Sequence, residues 1–171
     1  MTRRRVAYAD PPYPGTAVER YGARGREVNV ELLLAYLDEF DGWALSTSAS
    51  ALRVVWNLAP HARCAAWAKT FAPNGWSRVR YSWEPVLFHT DRRGLAPGER
   101  STVWDAHVSS SDCSRGWREV DGKPGGAKPS AFTRWILDLL DWHTGDEFVD
   151  VFPGSGSVTA AVRAQQLELE L

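Results

Sequence analysis

Apolar residues in this chain fall into short blocks separated by turn-forming residues. Residues 6–9, VAYA, make a short apolar run that stops at Asp10 and two prolines. Proline donates no backbone N–H and ends a ladder, so the run predicts a strand with a stiff exit. Residues 29–40, NVELLLAYLDEF, place Leu32, Leu33, Tyr36, Leu37 and Phe40 on one helical face, with Asn29 as N-cap. After Asp41-Gly42, WALSTS (43–48) predicts a strand, and residues 50–58 resume helical spacing until Pro60. Residues 63–69, RCAAWAK, and 81–89, YSWEPVLFH, predict strands around a loop containing PNG. The interval 90–127 is rich in Gly, Ser, Pro and charge and predicts no element, which in a compact domain marks a functional or disordered stretch. Then 128–142, KPSAFTRWILDLLDW, predicts a helix with Pro129 near its first turn. Residues 147–152, EFVDVF, predict a strand, residues 158–166 a helix, and LELEL closes the chain.

Strands alternating with helices imply an α/β fold, a mostly parallel sheet covered by helices on both faces. No internal repeat breaks the pattern, and 171 residues suffice for one domain with a real core. In such sheets ligands sit beyond the carboxyl ends of the strands, where connections diverge to opposite faces. Two conspicuous stretches follow strands: DPPY at 10–13 and DVFPGSGS at 150–157. If their strands are neighbours, the two stretches meet at one mouth.

Composition narrows the partners. Hydrophobic content of 44% and charge of 24% are ordinary for a soluble chain. Twenty basic against twenty-one acidic residues give a net charge of −1, so a polyanion would have to be met by local patches. Candidates are Arg3–Arg5, Arg20 with Arg24 and Arg26, and Arg92 with Arg93. Arg78 and Arg80, beside Trp76 and Tyr81, form a further backbone-and-stacking candidate; each group equally suits a solvated surface. Cys64 and Cys113 form no CxxC, which fits a reduced, cytoplasmic setting. The four histidines share no metal-ligand spacing, so no metal is assigned. No apolar run reaches the roughly 18 residues of a membrane span. Most of the nine tryptophans are expected in the core.

The glycine-rich stretch is not a Walker loop, because no GK[ST] follows, and Thr159 occupies the place of the third glycine of a dinucleotide fingerprint. A strand, a short glycine turn and a helix N-terminus can cradle a carboxylate-bearing nucleoside such as S-adenosylmethionine, or can be a plain turn. DPPY has the same two readings. It can be an ordinary turn, or the Asp10 carboxylate and Pro11 carbonyl can accept the hydrogens of a planar amino group while the Tyr13 ring stacks on the base. Such stacking is worth about 1–3 kcal/mol per base.

Together the two stretches resemble the S-adenosylmethionine-dependent methyltransferases of exocyclic amino groups of bases. Their hallmarks, [DNS]PP[YFW] and a DxFxGxG-type loop, are matched by Asp10-Pro11-Pro12-Tyr13 and Asp150-Val151-Phe152-Pro153-Gly154-Ser155-Gly156. Lys128-Pro129 and the segment from Trp67-Ala68-Lys69 to Glu84-Pro85-Val86-Leu87-Phe88 match further family features. The order is permuted, as in one class of DNA amino-methyltransferases and in the messenger-RNA adenosine methyltransferases. The resemblance implies a Rossmann-like methyltransferase fold. Residues 1–89 are its catalytic half, 90–127 a loop that could recognise the target, and 128–171 the cofactor half. It implies a target-base site at Asp10, Pro11, Pro12 and Tyr13. It implies a cofactor site at Asp150, Phe152, Pro153, Gly154, Ser155 and Gly156, with Lys128 and Ser130 nearby. The implied reaction is direct methyl transfer to DNA, adenine N6 before cytosine N4, with RNA as another substrate. The family continues past the glycine helix into further strands, whereas this sequence stops at Leu171, with Glu168 or Glu170 left to meet the ribose. That shortened half also fits a non-catalytic subunit, or a pocket completed by a second copy or a partner. Target reading would fall to 14–28, 70–80 and 90–127.

Overall fold

The computed structural model describes residues 3–13, 27–69, 78–79, 81–91, 98, 100–108 and 127–169. Its strands are β1 (Arg5–Ala9), β2 (Gly42–Ser46), β3 (Arg63–Ala68), β4 (Trp83–Thr90), β5 (Ala106–Val108) and β6 (Glu147–Asp150). The helices are α1 (Val30–Leu37), α2 (Leu52–Leu58), α3 (Ser130–Leu139) and α4 (Ser157–Leu169). They build one sheet in the order β5-β3-β4-β2-β1-β6. Pairings β1·β2, β1·β6 and β3·β5 are parallel, while β4 runs antiparallel to both its neighbours. Five strands therefore share a direction and β4 alone is reversed.

Side-chain alternation along the strands supplies both faces. Val6 and Tyr8 of β1, Ala44 of β2, Ala65 and Trp67 of β3, and Val86 and Phe88 of β4 pack with α3 and α4. Ala7, Ala9, Trp43, Leu45 and Leu87 point the other way, onto α1 and α2. A period of two thus converts one apolar run into two cores. Trp43, Trp67, Trp135 and Trp142 are buried, while Trp104 is 76% exposed.

Three expectations are corrected in detail. Asn29 does cap α1, accepting from the Leu32 backbone N–H at 3.0 Å, but the buried face is Leu33, Leu34 and Leu37. Leu32 is 70% exposed and Tyr36 is 41% exposed. With apolar residues at nearly every position of ELLLAYL, periodicity could not choose the face; contact with the sheet did. Within 90–127, β5 is a strand where none was predicted. It is three residues long, too short for alternation to register, and exists through its pairing with β3. The basic patch at 3–5 also dissolves, because Arg4 is buried.

Arg4 fastens the end of β1 remote from DPPY. Its guanidinium donates to the carbonyls of Leu140 and Asp141, both at 3.3 Å, and of Asp41 at 3.2 Å. It also donates to Thr90 Oγ1 at 3.0 Å and pairs with Asp91. One cation thus satisfies the end of α3, the turn before β2 and the end of β4. Gly42 is required beside it: a Cβ there would stand 3.2 Å from the His89 carbonyl and 3.3 Å from the guanidinium.

Replacing Arg4 by Met should leave several carbonyls without donors at once. The expected loss is about 3 kcal/mol of unfolding free energy, read from urea denaturation, with an unchanged far-UV spectrum at low denaturant.

Candidate active site

The connection leaving β1 passes through α1, on one face, to β2; the connection leaving β6 passes directly into α4, on the other. Between these adjacent parallel strands the chain diverges, and a crevice opens at their carboxyl ends. DPPY leaves β1 into it and FPGSG leaves β6 into it. The two stretches meet at one mouth, because their strands are neighbours.

On the β6 side, Gly154 (φ +47°) and Gly156 (φ +73°) adopt left-handed backbone, which side chains resist. The Gly156 N–H donates to the Pro153 carbonyl at 2.6 Å, tightening the turn, and the Gly156 carbonyl accepts from Ala160 at 2.9 Å to begin α4. A Cβ on Gly156 would meet nothing within 4 Å, so the glycine faces open space at a helix N-terminus. Pro153, Gly154 and Ser155 are exposed; Phe152 is half-buried and packs towards the α1–α2 core. Asp150 ends β6, with one carboxylate oxygen accepting from Thr159 Oγ1 at 2.9 Å. Partial burial raises its pKa, that bond opposes the rise, and the charge of Asp10 adds to it.

On the β1 side, Asp10 is half-buried, Pro11 is buried, Pro12 is half-buried and Tyr13 is buried. Beneath the prolines lies a small pocket whose walls include Leu33, Leu45, Val55 and Thr47. The Tyr13 hydroxyl donates to Glu84 Oε2 at 2.9 Å. Burial raises the pKa of both Tyr13 and Tyr8 and keeps them neutral; the Tyr8 hydroxyl meets Ser46 Oγ at 2.8 Å.

Lys128 joins the two sides. Its backbone N–H donates to Ser157 Oγ at 3.1 Å, at the start of α4. Its ammonium lies 3.1 Å from Asp10 Oδ2 and 3.6 Å from Glu84 Oε2. It stands 4.7 Å from the Trp67 ring centroid and 5.4 Å from that of Phe132, within cation–π range. Ser130, expected nearby, is the exposed first residue of α3.

Glu84 and Lys69, matched to the family segment but given no role from sequence, complete the cluster. Lys69 pairs with Glu84 Oε1 and lies 4.5 Å from the Trp67 centroid. Asp10, Glu84, Lys69 and Lys128 therefore form a chain of alternating charge. Burial alone would push Lys128 down, but Asp10, the two tyrosines and Glu84 overcome it and hold the ammonium well above its ordinary value. Lys69 is held down, because burial outweighs Glu84 there and Lys128 repels it. Burial would raise Glu84, yet the two ammoniums and two hydrogen bonds reverse that and leave its pKa lowered.

Of the basic residues proposed to contact nucleic acid, Arg78 is exposed. Arg24, Arg26, Arg80, Arg92 and Arg93 lie outside the described residues, as do the side chains of Glu168 and Glu170. Among the described residues, no helix is long and apolar enough to cross a membrane, and no three His, Cys, Asp or Glu side chains gather as a metal site would need.

The fold has solved counterparts. The crystal structure of the M1.HpyAVI–SAM complex aligns at TM-score 0.59 and 15% identity, covering 95% of this chain and 78% of that one. M1.HpyAVI by itself aligns at 0.59 and 12% identity, with coverages of 96% and 77%. TTHA0409, a candidate DNA modification methylase from Thermus thermophilus, aligns at 0.44 and 14% identity over 94% of this chain and 77% of its own, too loosely to carry an argument. No protein-family model matches the sequence, and no curated protein matches it. At these identities the likeness establishes the fold, a Rossmann-like methyltransferase fold.

The lowered pKa of Glu84 has a consequence for acid stability. Its stabilising effect is full above the ordinary glutamate value and is lost as pH falls through the lower, folded-state value. Urea midpoints should therefore fall below about pH 4, and Glu84→Gln should flatten that part of the curve.

Proposed function

We propose that this protein transfers a methyl group from S-adenosylmethionine to the exocyclic amino group of a base in DNA, adenine N6 being the favoured acceptor. The observation that carries the reading is the convergence of DPPY and the glycine turn at one crevice, tied together by Lys128 between Asp10 and the start of α4. The fold shared with M1.HpyAVI, which has been solved with SAM, supports the choice of donor.

The residues present suit that donor. Gly154 and Gly156 let the backbone turn tightly beneath it, the open side of Gly156 leaves room, and the positive end of the α4 dipole favours a carboxylate. Phe152, Pro153 and Ser155 belong to the same turn, with Asp150 at its root; Lys128 flanks it through its bond to Ser157, and Ser130 follows two residues later as the remaining candidate. When bound, S-adenosylmethionine supplies an electrophilic methyl group on its sulfonium.

The other half of the task is to make an amino nitrogen nucleophilic. Its lone pair is delocalised into the ring, and acceptors at its two hydrogens favour a more tetrahedral nitrogen. The Asp10 carboxylate and the Pro11 carbonyl are those acceptors, held on a backbone that two prolines stiffen. Among the described residues Lys128 is the side chain that pairs with Asp10, through Oδ2, and the Asp10 side chain keeps 29% exposure. Tyr13, largely buried with its hydroxyl on Glu84, follows this acceptor pair in the chain, with Pro12 setting the turn between them. DNA would be gripped by local basic positions, of which Arg78 is exposed, with Arg24, Arg26, Arg80, Arg92 and Arg93 as the further candidates from sequence. The whole chain then acts as one domain.

A second reading follows from β6, which among the described residues pairs on one side only, with β1. A partner subunit, or a second copy, would then cover that edge and complete the adenine side of the cofactor pocket. Calorimetry separates the two: heat at millimolar S-adenosylmethionine with the isolated chain supports the enzyme, and its absence with Asp10 and Tyr13 intact supports the dependent subunit.

Incubation with labelled S-adenosylmethionine and unmodified DNA should give base-linked label in N6-methyladenine. Label in RNA with none in DNA would overturn the DNA assignment. Asp10→Ala should abolish transfer and lower the urea midpoint, while the chain still folds and binds cofactor because Glu84 still faces the Lys128 ammonium. Tyr13→Ala should raise KM for DNA, and Tyr13→Phe should do less because the ring survives.

A further inference from the structure

We infer that Glu84 is a positioning residue for the amino-group site, dividing the Lys128 ammonium with Asp10 and anchoring the Tyr13 hydroxyl. The inference rests on the proposed base methylation and assigns a role outside DPPY and the glycine turn.

Both oxygens of Glu84 are engaged. Oε1 takes Lys69; Oε2 accepts from Tyr13 at 2.9 Å and lies 3.6 Å from the Lys128 ammonium. Asp10 holds the same ammonium at 3.1 Å through one oxygen. Attraction falls only as the inverse of distance, so the two carboxylates pull on Lys128 with comparable strength. Asp10, whose side chain is 29% exposed, is the carboxylate open to an incoming group; Glu84, at 14%, is enclosed behind it. Without the Glu84 charge, Lys128 keeps one carboxylate partner among the described residues, Asp10. It then closes fully on Asp10 and draws off the negative charge that should face the amino hydrogens. The ring of Tyr13 loses its charged anchor at the same time.

A plain structural role is separable, because Lys69 supplies the control. Lys69 is buried at 3% side-chain exposure, and Glu84→Gln removes the carboxylate that its ammonium pairs with. The double variant Glu84→Gln/Lys69→Met removes that buried charge and restores a neutral interior, while Lys128 still faces Asp10 alone.

The test compares the wild type, Glu84→Gln and the double variant in the urea midpoint, DNA affinity by fluorescence anisotropy, and steady-state methyl transfer. Glu84→Gln should lower the urea midpoint, and the double variant should regain it. In both, kcat should fall about tenfold to a hundredfold, with KM for DNA and the dissociation constant within about threefold of wild type. Recovery of kcat together with the midpoint in the double variant would reduce Glu84 to a structural partner of Lys69 and overturn the inference. If the wild type binds DNA but methylates no base, the proposed function falls and this role falls with it. If the wild type is active and the double variant equals it, only this role falls.

Discussion

A buried ammonium has to be answered by carboxylates, and in this protein that requirement fixes where everything else at the mouth can stand. Lys128 is enclosed, and taking its charge out of water without partners would cost several kcal/mol. Asp10 at the end of β1 and Glu84 at the start of β4 provide those partners, while the rings of Trp67 and Phe132 supply the remaining wall. Because the Lys128 backbone is also bonded to Ser157 at the start of α4, satisfying the charge pulls the glycine turn and DPPY towards each other. Pairing of β1 with β6 brings the two strands together, and the ion pair sets the distance across the gap between them.

Strand direction decides which residues can join that cluster. The carboxyl ends of β1, β3 and β6 all open at the mouth, so Asp10, Lys69 and the glycine turn reach it by following a strand. Glu84 reaches it for the opposite reason: β4 is reversed, and its first residues lie where its neighbours finish, with Glu84 opposite Trp67. The Thr47 N–H donating to the Pro85 carbonyl at 3.1 Å extends the same join past the end of β2. At the other end of β1, Arg4 gathers three carbonyls and Asp91 in a second ionic clamp. Strand β1 is thus held at both ends by buried cations, of which one faces the crevice and the other the base of the sheet.

What could be read from the chain depended on how local the information was. Proline ends, an asparagine cap and two-residue alternation are local, so β1, β2, β3, β4, β6 and the four helices all fall where the apolar blocks lie. The glycine turn and DPPY were legible for the same reason, because each is contiguous. The buried side of α1 was not legible, since Leu32, Leu33 and Leu34 are equally apolar and only the sheet distinguishes them. Nor was β5, which has no pattern of its own. The roles of Glu84 and Lys69 depend on the β3–β4 register and the reversal of β4, which no run of neighbouring residues encodes. The burial of Arg4 was hidden likewise: three consecutive arginines look like a surface patch until the carbonyls that surround the middle one are assembled.

The charge of the mouth then constrains how its chemistry can work. Asp10 and Glu84 against Lys69 and Lys128 sum to zero, Asp150 adds a carboxylate at the root of the glycine turn, and the chain as a whole carries −1, so these residues exert no long-range pull on a polyanion. A neutral, enclosed cluster is instead suited to a neutral group that needs orientation, as an exocyclic amino group does under the proposed reading. Attraction of the nucleic acid and activation of the nitrogen would be divided between different parts of the surface, the first screened by salt and the second not. Charge at the mouth would serve local geometry: each ammonium restrains a carboxylate, and each carboxylate restrains an ammonium or a phenol. Such a site keeps its acceptors aimed at an uncharged amino group, and the proton that the nitrogen must lose once methylated would pass to the acceptor carboxylate of Asp10 or to water.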